Sequence, residues 1–233
     1  MIAVRPPEYF PGLAYVALML SSDPFVLADT FQYSRQSFQN RARIRNPKGW
    51  QWVSIPLKGG QHGRPQTGVH IRQIAAWRKR HWKAFAFNYR PTPYFAHYEE
   101  ELREFFMRPW TMLGDITCAS VQLLHRFLGL SSMLIRASEL EGSPAGLPDI
   151  LGAMDRATLL TTQESAPHDA HGGWPLRVLQ YDHPQYRQAF DRFWSGMTAL
   201  DAIFNLGPEA AGMIRRGIRI EEHSVGARRP AAG

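Results

Sequence analysis

Asp29, Gln32, Arg35, Asn40 and Arg41 crowd into one short polar stretch between two apolar, strand-like runs. A loop at a sheet edge can turn such groups onto a ligand. A carboxylate tuned by its surroundings orients a hydroxyl or amine, or removes a proton, and Asp29 is the candidate for that work. The forked donors of Arg41 suit a diphosphate or a carboxylate, with Arg35 as a second cation and Gln32 and Asn40 as neutral contacts. The same residues also make an ordinary structural unit, an Asp29–Arg41 ion pair with Asn40 closing a turn. The sequence leaves both readings open.

A second group follows the first strand, where ligands often sit: Glu8 and Tyr9, with Arg5 before them. Tyr9 is a substrate contact or a packed aromatic, and Arg5 a phosphate contact or a solvated charge. Trp77, His81, Trp82, Asn88 and Tyr89 share one helical pattern. His81, with an imidazole that titrates near neutrality, is the second candidate proton carrier, and Tyr89 a further substrate contact. His168 and His171 flank Asp169, and His183 lies further on, but their glycine-rich surroundings read as a loop, and no metal site is expected. The single cysteine, Cys118, falls in a long apolar helix as an inert thiol, so neither a disulfide within the chain nor a cysteine-rich metal centre can form. No Gly-x-Ser-x-Gly elbow, Gly-x-Gly-x-x-Gly turn or Gly-Lys-Ser/Thr phosphate loop occurs, so no nucleotide cofactor is expected.

These side chains need a frame. Met1 to Val4 reads as a buried strand, turned outward by Pro6 and Pro7. GLAYVALMLSSD reads as a short helix, and PFVLAD as a second buried strand ending at Asp29. Phe38 to Ile44 and Trp50 to Leu57 flank the turn RNPKG and predict a hairpin, and GGQHGRPQTG after it predicts a mobile loop. Helical patterns run from about Ile74 to Phe87, Tyr94 to Phe106 and Trp110 to Phe127, parted by prolines. LIRASEL, ATLLTT and LRVLQY read as strands, and TALDAIFNLG and PEAAGMIRRG as the final helices. The expected fold is α/β, with mixed α+β as the variant: a single domain with several helices packed on a mixed sheet. Residues 1–217 form that domain, and 218–233 a basic, flexible tail.

Three stretches, MIAVRPPEYFPGLAY, SDPFVLADTFQYSRQSFQNRARIRNPKGWQWVSIPLKG and WRKRHWKAFAFNYRPTPYF, together with the late YDHPQYRQAFDRFWSGMTALDAIFNLG, resemble the WbqC-like proteins in content, order and spacing. The central signature is carried by Asp29, Gln32, Ser37, Phe38, Asn40, Arg41, Ile44, Gly49, Trp50 and Pro56. The resemblance implies a bacterial protein of O-antigen and related surface-polysaccharide biosynthesis, in a group that modifies amino sugars by acyl or aminoacyl transfer. The chain departs from the family pattern at Arg5, Pro6 and Pro7, where His-Gln-Pro is usual, at Gly12 in place of a Trp, and in the altered segment ATLLTTQESAPHDAHGG. These departures imply a divergent substrate or a lost activity.

Hydrophobic residues at 44% and charged residues at 20% are ordinary globular usage, which excludes a disordered chain. The start of the sequence lacks a signal-peptide pattern, and its longest apolar run falls short of a membrane span, so a reducing cytoplasm is the expected location. A net charge of +7 suits phosphate-bearing partners. The leading expectation is a transferase taking a small amine or nucleotide-sugar substrate, with an aminoacyl-tRNA as a possible donor and no DNA partner. The alternatives are a non-catalytic ligand-binding or assembly protein, and RNA binding through the basic, aromatic stretch from Trp77 to Tyr94. Oligomeric state is left open.

Overall fold

Residues 1–73, 77–155 and 158–222 are described by the structure, a computed structural model. In chain order the elements are β1 (Ala3–Arg5), α1 (Leu13–Leu20), β2 (Phe25–Leu27), β3 (Arg41–Asn46), β4 (Gly49–Ser54), α2 (Trp77–Tyr89), α3 (Phe95–Met107) and α4 (Leu113–Phe127). There follow β5 (Leu134–Arg136), α5 (Leu147–Ala153), β6 (Leu159–Thr162), α6 (Ala166–Asp169), β7 (Leu176–Tyr181), α7 (Ala199–Leu206), α8 (Glu209–Arg215) and β8 (Ile218–Glu222). The expected helix start at Ile74 lies outside the described residues.

β1, β2 and β5 pair in parallel, in the order β1-β2-β5, while β7 pairs in parallel with β6 and antiparallel with β8. A parallel bridge between Ile2 and Leu159 brings the two three-stranded sheets edge to edge. There the Ile2 amide donates to the Thr158 carbonyl (3.1 Å) and the Leu160 amide to the Ile2 carbonyl (2.8 Å). The strands therefore run β5-β2-β1-β6-β7-β8. The chain builds outward from β1 in one direction, then returns beside β1 and builds outward in the other, so the order reverses between β1 and β6.

Alternation along the strands sends side chains to two faces. Ala3, Phe25, Leu27, Leu160 and Leu179 enter the larger core with the main helices, and Ile2, Val4, Val26, Leu159 and Val178 enter a smaller core with Ile150, Leu151 and Ala166. Helices cover both faces, which fits buried, mostly parallel strands. β3 and β4 form a separate antiparallel hairpin in which Asn46 and Gly49 are partners, and the Asn46 side chain accepts the Lys48 amide (3.0 Å). Gly49 takes a φ of +133°, which only glycine adopts without strain. The fold is thus a single-domain α/β arrangement, as the sequence implies.

Two expectations are corrected. Ile218–Glu222, assigned to the flexible tail, pairs along β7, because its amides and carbonyls complete that strand's second edge. The loop at 59–68, expected to be mobile, docks through its end. Gln66 is wholly buried, its Nε2 donates to the Pro7 carbonyl (3.0 Å), and its Oε1 accepts from the Thr117 hydroxyl (3.2 Å). Gly114 permits this approach, since a Cβ there would lie 3.2 Å from the Thr67 nitrogen.

Asp29 closes the end of β2 against the end of β5. Its carboxylate is wholly buried and accepts from Arg136 Nε (2.9 Å) and Nη2 (2.8 Å), and from the Ser138 amide (2.9 Å) and hydroxyl (2.7 Å). Arg136 also reaches Asp115 (3.1 Å), in the first turn of α4, where a negative charge suits the helix dipole. Replacing Asp29 with alanine strands a half-buried guanidinium and two donors, so Asp29→Ala is expected to cost about 3–5 kcal/mol of unfolding free energy by urea titration. Arg41→Gln, which leaves this cluster intact, is expected to cost less than about 1 kcal/mol.

Candidate functional site

In open α/β sheets ligands bind outside the carboxyl ends of the strands where the strand order reverses. Here that point lies between Arg5, at the end of β1, and Thr162, at the end of β6. Two clefts open there, on either side of a wall formed by Arg5 and Glu164. One, of about 400 Å³, is lined by Glu8, Tyr15, Phe38, Tyr181 and His183. The other, of about 800 Å³, is lined by Gln32, Ser34, Ser165, His168 and Trp174. Arg5 Nη1 donates to the Ser165 hydroxyl across the top of the wall.

The loop that carries Glu8 is tightly held. The carbonyls of Pro6 and Pro7 meet no backbone amide among the described residues and take side-chain donors, as buried acceptors must find some partner. The Tyr15 hydroxyl donates to the Pro6 carbonyl (3.2 Å) and Gln66 to that of Pro7. The Ser120 hydroxyl lies 2.9 Å from the Glu8 carbonyl and accepts the Phe10 amide (3.1 Å). The Tyr9 amide donates to the Phe38 carbonyl (3.0 Å), and Phe10 takes a left-handed φ of 45°, so the chain turns sharply into α1.

The Glu8 carboxyl is half-buried in the smaller cleft. Burial pushes its pKa up to about 7, against a smaller pull downward from the Arg5 guanidinium. A carboxyl with that value exchanges a proton readily at neutral pH. His183, on the same cleft, is held below its ordinary value by burial. Its Nδ1 faces the Pro184 carbonyl (3.1 Å) and its Nε2 the Gly196 amide (3.4 Å), which assigns the neutral ring with its proton on Nδ1. The Tyr181 hydroxyl is sealed from solvent without a partner among the described residues, and burial raises its pKa, so it stays protonated.

The residues singled out from sequence are dispersed. Asp29 is occupied by Arg136 and Ser138, so its partner is Arg136 and not Arg41. Gln32 is exposed on the larger cleft. Arg35 is exposed, and Asn40 donates to the Ile55 carbonyl (3.2 Å) at the foot of the hairpin. Arg41 donates to the carbonyls of Ser37 (3.2 Å) and Gln36, and its guanidinium lies 4.2 Å from the Trp52 ring centre. Tyr9 and His81 do meet: the wholly buried Tyr9 hydroxyl donates to His81 Nδ1 (2.9 Å), while His81 Nε2 donates to the Ser54 carbonyl (3.2 Å). Tyr89, also wholly buried, accepts the Arg45 amide (3.0 Å). His168 and His171 border the larger cleft with ring centres 6.5 Å apart. Among the described residues no group of three His, Cys, Asp or Glu is placed to hold a metal. Glu8 and Arg5 were visible as neighbours of Tyr9 after the first strand, but nothing in the sequence marks Glu8 as the one whose burial shifts its pKa.

The class is therefore that of a doubly wound α/β protein with its cleft at the strand-order reversal. The chain belongs to the WbqC-like protein family, whose profile matches residues 6–213. It is 27% identical over 232 residues to a protein of Mycobacterium tuberculosis described as Uncharacterized protein Rv1507c, covering 92% of this chain and 97% of that protein. No solved structure matches it. Among the described residues no helix is long and apolar enough to cross a membrane.

His81 gives a stability test. Burial lowers its pKa to about 4, so its stabilising contribution is complete above 6.5, the ordinary histidine value, and is lost as pH falls from there toward 4. Between pH 7 and pH 4 the native chain is expected to lose about 3 kcal/mol more than His81→Gln, measured by urea titration at each pH.

Proposed function

We propose that the protein is a transferase that moves an acyl or aminoacyl group onto the amine of a small acceptor such as an amino sugar, in surface-polysaccharide or related small-molecule biosynthesis. The single observation behind this reading is Glu8, a rigidly presented carboxyl with a pKa of about 7, facing a cleft at the strand-order reversal. The reaction class is taken from what the resemblance to the WbqC-like proteins implies, and the family match over residues 6–213 fits that reading without testing it.

In this reading the acceptor amine sits in the smaller cleft beside Glu8, and the acyl donor, an aminoacyl-tRNA end among the possibilities, enters the larger one past Gln32 and Trp174. The amine nitrogen attacks the acyl carbon and the new C–N bond forms. The bond from that carbon to the donor's leaving group breaks, the nitrogen's proton passes to Glu8, and the leaving group departs with the electron pair. Arg5, on the wall between the clefts, holds an anionic group of either substrate. The proton-carrying role expected of Asp29 or His81 passes to Glu8, because both of those side chains are enclosed in hydrogen bonds away from either cleft. Asp29, Tyr9 and His81 then act as positioning residues, the last two by tying the Glu8 loop to α2 and β4.

The test incubates the purified chain with a panel of nucleotide-amino sugars and other amines, plus acyl and aminoacyl donors, and follows a donor-dependent mass gain by mass spectrometry. Where a product forms, Glu8→Gln is expected to slow it by about 10²- to 10⁴-fold. The rate should rise with pH through about 7, as Glu8 loses its proton and becomes the base, and level off above that. Unchanged turnover by Glu8→Gln would remove the proposal.

A further inference from the structure

The hairpin beside the smaller cleft carries an aromatic and cationic ladder that the proton transfer does not use. Cross-strand pairing sets Arg43 opposite Trp52 and Arg45 opposite Trp50. Phe38 packs against Trp52 with ring centres 5.6 Å apart, and Trp52 meets Trp50 edge-on at the same distance. The Arg43 guanidinium lies between the two indoles, 4.4 Å from the centre of Trp50 and 5.0 Å from that of Trp52. Such stacking fixes a guanidinium without using its hydrogen-bond donors.

Arg43 differs from its neighbours in its partners. Arg41 donates to the carbonyls of Gln36 and Ser37, and the wholly buried Arg45 donates to those of Asn46, Gly49, Asp191 and Arg192. Arg43 Nε is sealed from solvent with no hydrogen-bond partner, and among the described residues no ion pair is recorded for its guanidinium. Its Nη1 sits 3.3 Å from where a Cβ on Gly196 would stand, and Gly196 lines the smaller cleft. Phe38, at the other end of the ladder, also lines that cleft, and it is 37% exposed. Phe38 thus gives the cleft a planar apolar face, and behind Gly196 at its edge stands a pre-oriented guanidinium, outside the cleft lining itself, whose terminal nitrogens have no recorded hydrogen bond among the described residues.

We infer that the Phe38–Arg43 edge of the hairpin is a nucleotide subsite of the smaller cleft, with a base stacked on Phe38 and a phosphate held by Arg43. A ring plus a phosphate matches both features at once, whereas an apolar ligand would leave the guanidinium unused and a bare anion would leave Phe38 unused. The two tryptophans act as positioning residues that hold Arg43 in place. This subsite rests on the cleft being the substrate site and deepens that reading by assigning the acceptor's nucleotide a place outside Glu8.

The probes are uridine diphosphate and inorganic pyrophosphate, titrated against the full chain by calorimetry and by quenching of tryptophan fluorescence. Uridine diphosphate is expected to bind more tightly than pyrophosphate. Arg43→Gln should weaken both by about ten- to hundredfold, the worth of a charge-assisted contact. Phe38→Ala, likewise checked by its melting temperature, should weaken uridine diphosphate and leave pyrophosphate unchanged. Arg43→Gln is checked by its melting temperature, and Arg43→Lys, which keeps the charge but not the fork, should recover only part of the loss. Equal affinity for the two probes, no binding of either, or binding indifferent to both substitutions overturns the inference. Binding that depends on Arg43 without any transfer would defeat the transferase reading alone, and transfer indifferent to Arg43 and Phe38 would defeat the subsite alone.

Discussion

Three consecutive carbonyls, those of Pro6, Pro7 and Glu8, lie between β1 and α1 and meet no backbone amide among the described residues. Each is met instead by a side chain from elsewhere: Tyr15 from α1, Gln66 from the docked loop and Ser120 from α4. This requirement organises the surroundings. It draws the loop at 65–68 into the core, and Gly114 leaves room for that loop against α4. It also fixes the direction in which β1 hands the chain to the cleft, so Glu8 is presented by a segment with little freedom left.

Buried carboxyls in this molecule sort by their partners. Asp29 accepts from a guanidinium, an amide and a hydroxyl, and its charge serves as a joint between strands. Asp201, wholly buried in α7, accepts from Tyr186 (2.6 Å) and Gln188 (2.9 Å) through one oxygen while the other has no partner, and burial pushes its pKa up to about 6. Glu8 has no recorded hydrogen bond to its carboxyl among the described residues, and burial pushes its pKa up to about 7, above that of Asp201 and in the range useful for chemistry. Desolvation is common to them, and satisfaction by donors decides which carboxyl is structural.

Much of the frame was legible in the chain. The first two strands, the Asn46–Gly49 hairpin and the proline-parted helices follow from local pattern and turn chemistry, which act over a few residues. Strand order was not legible, because the Ile2–Leu159 bridge joins residues far apart in sequence. For the same reason Asp29 could be flagged as a polar residue at a strand end while its partner, Arg136, stayed out of view. The short helices Leu147–Ala153 and Ala166–Asp169 are too brief to show a hydrophobic period. His81 was expected as a proton carrier and Tyr9 as a substrate contact or packed aromatic; their pairing in one enclosed hydrogen bond within an aromatic core depends on contacts 72 residues apart, which no local pattern shows.

β8 carries Arg219, Glu221 and Glu222 along the outside of the sheet, and Arg177 of β7 pairs across to Glu222 (2.7 Å). Tyr181 and Gln180, which wall the smaller cleft, consequently lie on a strand with neighbours on both sides. A chain cut at residue 217 would turn that wall into a naked edge, Leu-Arg-Val-Leu-Gln-Tyr, with unpaired amides and carbonyls and no charged strand to guard it. Such an edge invites strand addition by a second copy, so the last few paired residues act as a gatekeeper against self-association as much as a support for the cleft.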